Sequence, residues 1–339
     1  MRIQVNARNR GYEFDARPGE KVLYAGLRAG IDLPYECGTG TCGTCKAKLI
    51  AGRVRDGWPA APGRKHVKPE AGEFLMCQCA AEDALTTEVS KFVYAMEPGA
   101  CSPDAGAGVL RGVRRLAEDV IAFNVELEQP RDFDAGQFVL LAAPGVPGYR
   151  AYSMCNFERR AQRLEFVIKR KPDGGFSRWL FEAGRDGIQL DLFGPLGKAT
   201  FDPALGKNLL CIAGGSGIAG MMAILARAAA ADYFDRHQAW VFFGVRTMKD
   251  AFFLRELSTA KAEITVALSE EDVPQGQEWP NLRFEKGLVH EVAKHAMAGR
   301  FQNVRAYVAG PPPAVDAAIR MLLLEAKLTT DNIRYDKFS

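Results

Sequence analysis

The sequence predicts a multidomain chain: a small α+β unit, then an antiparallel β-barrel, then a doubly wound parallel α/β unit. Three observations carry this. The first 94 residues hold short runs of alternating apolar and polar residues around a cysteine-rich loop. Residues 109–170 hold five more short runs with turn residues between them, as antiparallel strands do. From Leu209 onward, apolar runs of strand length alternate with segments of helix length, as in a parallel sheet covered by helices. At 339 residues the chain exceeds what one hydrophobic core sustains. The expected units are 1–94, a linker over 95–108, 109–203 and 204–339.

Within the first unit, residues 2–6 and 12–16 alternate as a hairpin, and 21–28 forms a short helix with Val22, Leu23 and Leu27 on one face. Gly30 stops that helix. A loop rich in Gly and Cys, a strand over 45–50, an irregular stretch and a strand near 87–92 complete a β-grasp pattern. The segment 95–108 is Pro, Gly and Ala with little to bury, and reads as a linker with Cys101 incidental in it. Barrel strands are expected at 109–115, 119–127, 137–143, 149–154 and 163–170. The last unit is expected to run strand 209–213, helix to about 229, strand 239–244, helix 249–258, strand 263–268, helix 288–298, strand 304–309 and helix 312–325.

Composition excludes some functions. Hydrophobic content of 47% and charged content of 25% are ordinary for a globular protein. A net charge of +3 is too small to argue for nucleic acid. No apolar run reaches the ~18 residues of a membrane span. The chain opens straight into a strand, so no leader is expected, and its eight cysteines then point to a reducing cytoplasm, where clustered thiols hold metals. The expectation is a cytoplasmic monomer without membrane or nucleic-acid partners.

Cys37-Gly-Thr-Gly-Thr-Cys42-Gly-Thr-Cys45, with a remote fourth cysteine, has the C-x4-C-x2-C…C spacing of a plant-type [2Fe–2S] cluster. Such a cluster needs four thiolates on two irons. Gly38, Gly40 and Gly43 let the loop wrap tightly and turn N–H groups toward the sulfurs. Structural zinc favours two separated C-x2-C pairs, and a disulfide framework suits a short secreted chain. Spacing alone leaves the fourth ligand open, because Phe74-Leu-Met-Cys77-Gln-Cys79 offers two thiols.

Tyr35-Glu-Cys37 through Cys45, followed by Leu75-Met-Cys77, resembles the ferredoxin domain of bacterial oxygenase reductases. In that family the ligand sits in a Leu-x-Cys triplet, which implies Cys77 and leaves Cys79 as an apolar filler. Trp58-Pro-Ala-Ala-Pro-Gly63 also resembles the toluene monooxygenase and carbazole dioxygenase reductases, and by composition reads as a rigid loop rather than a participant.

Two barrel segments, Arg150-Ala-Tyr152-Ser153 and Gly174-Gly175-Phe-Ser177, resemble the flavin motifs of the ferredoxin reductase superfamily. The resemblance implies Arg150 on a phosphate, Tyr152 against the flavin, Ser153 near its N5 and the Gly174-Gly175 turn on the pyrophosphate. Gly194-Pro-Leu-Gly197 closes the barrel in that family. Gly214-Gly215-Ser-Gly217-Ile-Ala-Gly220 formally fits a dinucleotide fingerprint, but the acidic residue due ~20 positions later is replaced by Arg246. The segment, with Gly244-Val-Arg246-Thr and Gly310-Pro311-Pro-Pro, instead resembles the superfamily's nicotinamide site. Gly220 and Ala309 depart from the family's usual Pro and Cys. Ser269-Glu270-Glu271-Asp272 lacks the arginine that NADP-using relatives carry after the serine, so NADH is expected, with Glu270 contributing. Phe338 matches the C-terminal aromatic that lies over the flavin, with core anchoring as its other reading and Ser339 trailing it.

The four histidines are scattered, and neither a Gly-x-Ser-x-Gly elbow nor a phosphate-binding Walker loop appears. The resemblance covers nearly the whole chain. It implies electron flow from NADH through FAD and the [2Fe–2S] cluster to a terminal oxygenase, or to a ferredoxin ahead of it. The alternatives are the same chain of cofactors serving a deoxysugar dehydratase, or a non-enzymatic cluster-bearing sensor or carrier.

Overall fold

The computed structural model describes residues 1–276 and 278–338, so Ser339 lies outside the described residues. The first unit contains β1 (Arg2–Ala7), β2 (Gly11–Asp15), α1 (Val22–Arg28), β3 (Lys46–Ala51), β4 (Val54–Asp56), β5 (Glu73–Leu75), β6 (Cys79–Ala81) and β7 (Leu85–Val89). Its main sheet runs β2-β1-β7-β3-β5, with β4 and β6 forming a separate pair. β1 and β7 are parallel, and the other pairings of the main sheet are antiparallel. Ile3 and Val5 point into the core at the strand period of two, and α1 closes over them with Val22, Leu23 and Leu27 buried.

The second unit contains β8 (Asp104–Ala117), β9 (Val120–Arg131), β10 (Phe138–Ala142), β11 (Arg150–Ser153), β12 (Ala161–Lys169), α2 (Gly175–Phe181) and β13 (Gln189–Leu196). These strands form one sheet of six, in the order β11-β10-β13-β8-β9-β12, with antiparallel pairs throughout. β8 starts at Asp104, five residues inside the expected linker. Gly106 pairs with Leu192 and Gly108 with Leu190. These residues are small for a packing reason. A side chain at Gly106 would strike the Arg131 guanidinium, and one at Gly108 would strike the Glu126 carbonyl.

The third unit contains β14 (Asn208–Gly214), α3 (Ile218–Ala230), β15 (Ala239–Val245), α4 (Leu254–Ser258), β16 (Glu263–Leu268), β17 (Leu282–Lys286), α5 (Val289–Ala296), β18 (Val304–Gly310), α6 (Pro312–Leu324) and β19 (Ile333–Lys337). The sheet is parallel in the order β17-β16-β15-β14-β18-β19. Strand order reverses between β14 and β18, the switch point at which doubly wound sheets open a crevice. The helix expected over 249–258 is divided into a 3-10 turn at Met248–Asp250 and the short α4, because Phe253 takes a left-handed φ of 62°. β17 was not expected.

The first unit docks on the second through an apolar seam. Phe138, Leu140, Phe193 and Leu196 of the barrel belong to the first unit's core cluster. The Tyr24 ring stacks on Phe193 with centroids 4.4 Å apart and meets Tyr149 edge-on at 5.9 Å. Gly197 N donates to the Tyr35 hydroxyl at 2.9 Å, Lys198 pairs with Asp32 at 2.6 Å, and Arg17 pairs with Asp104 at 2.8 Å.

Candidate functional site

The cysteine loop spans 37–45, between α1 and β3. Its glycines are demanded by geometry. Gly43 has φ +77°, and a side chain there would meet His66 at 2.7 Å; Gly40 has φ +87° with Gln78 at 2.9 Å. Thr39 N donates to Cys37 Sγ and Thr44 N to Cys42 Sγ, each at 3.4 Å. Cys77, arriving just after β5, brings its Sγ within 3.2 Å of Cys45 Sγ and accepts from Gln78 Nε2 at 3.4 Å.

The sulfurs therefore stand as two pairs, Cys37 with Cys42 and Cys45 with Cys77. The Cys42 thiol, which donates to Cys37, and the loop N–H groups push Cys37 down to about 4, while Cys42 is pushed up. Among the described residues no three side chains converge as on a single ion. Two thiolates per metal is the donor set of a binuclear cluster. Cys79 lies in β6 opposite Asp56, and burial pushes its thiol up to about 11.

The flavin-motif residues lie one strand from this loop. β11 pairs with β10, placing Arg150 opposite Leu141, Ala151 opposite Leu140, Tyr152 opposite Val139 and Ser153 opposite Phe138. A side chain at Gly38 would touch Leu140 at 3.4 Å and Leu196 at 3.6 Å, so the cysteine loop rests on the barrel wall. The Tyr24 hydroxyl donates to Gly38 O at 2.9 Å and fixes it there.

Ser153 is 6% exposed, and its Oγ has no partner among the described residues. The Tyr152 ring packs on Phe176 of α2 at 5.2 Å. Arg150 Nη1 donates to Tyr149 O at 2.8 Å and more weakly to Pro147 O at 3.3 Å. Gly174 precedes α2 and Gly175 begins it. Ser177 is turned inward: its hydroxyl accepts from Lys171 N at 3.1 Å and bonds to Gly174 O at 3.1 Å, and so shapes the turn at the start of α2.

The nicotinamide-motif glycines gather at the switch point. Gly214 ends β14 and Gly310 ends β18. Any side chain on Gly217 would strike Ala309 O, and one on Gly310, at φ +145°, would lie 2.9 Å from Gly214 O. Gly215 has φ +53° with open space at its Cβ position. Pro311 caps α6, and its ring lies 3.2 Å from the Cβ position of Gly214. Phe338 N donates to Gly310 O at 3.0 Å, and the ring packs against a core cluster shared by the barrel and the third unit.

Gly220, at the start of α3, faces the orphan Ser153 hydroxyl, whose oxygen is 3.8 Å from the glycine's Cβ position. This junction between flavin and nicotinamide segments had no signal in the sequence. Arg246 pairs with Asp250 at 3.5 Å. Burial works against ionised Asp250, but Lys169, Thr247 and Arg246 outweigh it and hold its carboxyl below the ordinary value. Glu270 is exposed after β16, its N–H bonded to Arg246 O at 2.9 Å, while Glu271 is tied to Met248 N at 2.7 Å.

Three family models match in the order of these sites. They are the 2Fe-2S iron-sulfur cluster binding domain over 5–82, the oxidoreductase FAD-binding domain over 108–201 and the oxidoreductase NAD-binding domain over 211–320. The ferredoxin–NAD(P)+ reductase CarAd of Metapseudomonas resinovorans is 37% identical over 94% of this chain and 95% of its own length. The chain belongs to the ferredoxin–NAD(P)+ reductase components of multicomponent oxygenases. Another relative of this reductase, the ferredoxin–NAD(+) reductase component of the Xanthobacter autotrophicus alkene monooxygenase system, is 33% identical over 97% of this chain and 99% of its own. The solved ferredoxin reductase of carbazole 1,9a-dioxygenase superposes with a TM-score of 0.83 at 34% identity, covering 100% of this chain and 99% of that one.

The reductase is thus an oxidoreductase whose domains bind a [2Fe–2S] cluster, FAD and a nicotinamide dinucleotide. Its residues fit these groups. The thiols stand in two pairs, a buried hydroxyl beside the flavin segment lacks a partner, and glycines leave backbone exposed at the switch point. Among the described residues no helix is long and apolar enough to cross a membrane.

Proposed function

We propose that this reductase takes electrons from NADH and delivers them to the terminal oxygenase of a system that hydroxylates aromatic or other hydrocarbons, or to a ferredoxin ahead of it. The observation that carries the reading is the shared wall: Ser153 faces Gly220 of the nicotinamide domain, and the cysteine loop leans on Leu140 of the strand beside Ser153. Bound at these sites, the dinucleotide would supply a hydride, the flavin the conversion from two-electron to one-electron transfer, and the cluster a one-electron outlet at about −400 mV.

The chain's own residues hold and orient. Cys37, Cys42, Cys45 and Cys77 ligate the irons, and Thr39 N, Thr44 N and Gln78 Nε2 stabilise charge on the sulfurs. Arg150 and the Gly174-Gly175 turn hold the flavin's diphosphate. Tyr152 packs on the ring system, and the Ser153 hydroxyl donates toward the edge where hydride arrives. Gly214, Gly215, Gly217, Gly310 and Pro311 shape the nicotinamide crevice, and Phe338, packed against the core cluster there, is the residue that would lie over the flavin. Glu270 accepts from ribose hydroxyls and repels a 2′-phosphate, while Arg246 stands as a countervailing charge, because the Asp250 carboxylate it meets at 3.5 Å is already held by Lys169 at 2.9 Å. None of the eight cysteines is in a disulfide, which suits a reducing cytoplasm. A monomer suffices, because all three sites lie in one chain.

Mixing the loaded reductase with NADH and a purified Rieske or di-iron oxygenase tests the reading. Hydroxylated product should form with this reductase and not with the oxygenase alone. Rapid NADH–ferricyanide turnover with no electron delivery to any oxygenase or ferredoxin would refute it.

A further inference from the structure

Trp58 belongs to the first domain, in the loop between β4 and β5, yet its ring faces Arg150 of the second. The guanidinium carbon lies 5.6 Å from the ring centre. The loop carrying Trp58 is fastened at several points. Trp58 N donates to Asp56 Oδ1 at 2.9 Å, and the Asp56 carboxylate also pairs with Arg64. Ala61 N donates to Trp58 O at 3.1 Å, Gly57 N to Gln78 O at 2.9 Å, and Gly63 N to Gly40 O of the cysteine loop at 2.8 Å. Trp58 also packs partly buried against the first domain's core. The indole is therefore a fixed plate.

Arg150 is held from two sides: the plate covers its face, and the carbonyls of Tyr149 and Pro147 take one edge. Among the described residues no carboxylate pairs with it, so its remaining N–H edge is left for an anion. A guanidinium already held flat loses less freedom when it binds one.

We infer that Trp58 is a positioning residue of the flavin site: it holds Arg150 oriented for the flavin's diphosphate, so the first domain helps to retain the flavin of the second. This rests on the reading of Arg150 as a phosphate-binding residue. A cation–π contact at a partly desolvated site corresponds to about tenfold in a binding constant.

The test is the FAD dissociation constant, read by flavin fluorescence on full-length, cluster-loaded, FAD-depleted protein. Trp58→Leu keeps an apolar side chain without a π face and should bind FAD about five- to tenfold more weakly. Trp58→Phe keeps a face and should lose about twofold. Both should keep the cluster's visible bands, and in flavin-saturated protein the KM for NADH should not move. In an Arg150→Ala background, Trp58→Leu should add no further loss. Wild-type affinity in Trp58→Leu, with Arg150→Ala weakened, would overturn the inference alone. A full extra loss in the double variant would also overturn it, since Trp58 would then act without Arg150. Unchanged affinity in Arg150→Ala would instead remove the reading of Arg150 on which the inference rests.

Discussion

The buried Ser153 hydroxyl has no partner among the described residues, and a buried hydroxyl left unpaired costs about 1–3 kcal/mol, so it is a donor available to a bound group. Ser153→Ala should leave the flavin-free protein at least as stable and bind FAD nearly as well, yet slow flavin reduction by NADH about 10²-fold, because a donor aimed at the reacting edge is lost. Anaerobic stopped-flow absorbance reads this directly, and an unchanged rate would take Ser153 out of the chemistry. The two neighbouring cysteines make a sharper pair. Cys77 approaches Cys45 at 3.2 Å, while Cys79 is a buried thiol whose ionisation is opposed by burial. Cys77→Ser should lose or badly destabilise the cluster's visible bands, and Cys79→Ser should keep them; the reverse pattern would exchange their roles. At the nicotinamide end, exposed Glu270 presents a carboxylate that repels a 2′-phosphate, while Arg246 is only loosely paired with Asp250 at 3.5 Å. The kcat/KM ratio should therefore favour NADH over NADPH, and Glu270→Arg should narrow it. A native preference for NADPH would contradict the assignment.

At the scale of elements, α1 does more than cover its own sheet. Tyr24, near its start, bonds the cysteine loop through Gly38 O and stacks on Phe193 of the barrel. Tyr24→Phe removes a buried hydrogen bond worth about 1 kcal/mol and leaves the Gly38 carbonyl unsatisfied. Flavin-to-cluster electron transfer should slow severalfold in stopped-flow, while flavin reduction by NADH holds; equal rates would show that the bond does not set the alignment. The sequence announced α1 by its apolar face but not the tyrosine's partners, which are remote in the chain. The first five residues of β8 read as linker because Ala and Gly bury little by themselves, and only Arg131 and Glu126 explain their size. β17 did carry a signal, since Leu282 and Phe284 alternate with exposed Arg283, but it is a short edge strand. The break in 249–258 depends on one left-handed Phe253, which no periodicity announces. By contrast the cysteine loop, the Arg150–Ser153 strand and the switch-point glycines were legible, because their chemistry needs fixed residue types at fixed spacing.

For the whole molecule, the barrel shares one apolar cluster with the first domain and another with the third, and its wall is common to all three sites. A chain starting at residue 95 keeps β8 entire and should fold, bind FAD more weakly than the full protein for want of Trp58, and still pass electrons from NADH to ferricyanide. It should lose most cytochrome c reduction, because the single-electron outlet is gone; a soluble but colourless product would mean that the flavin site cannot form without the first domain. The central claim is that electrons pass in series across the wall formed by β10 and β11. Anaerobic mixing of the intact reductase with NADH, followed at flavin and cluster wavelengths, tests it most directly. Flavin bleaching should come first and cluster bleaching second, and FAD-depleted protein should show neither. Cluster reduction that keeps pace without FAD would contradict the account.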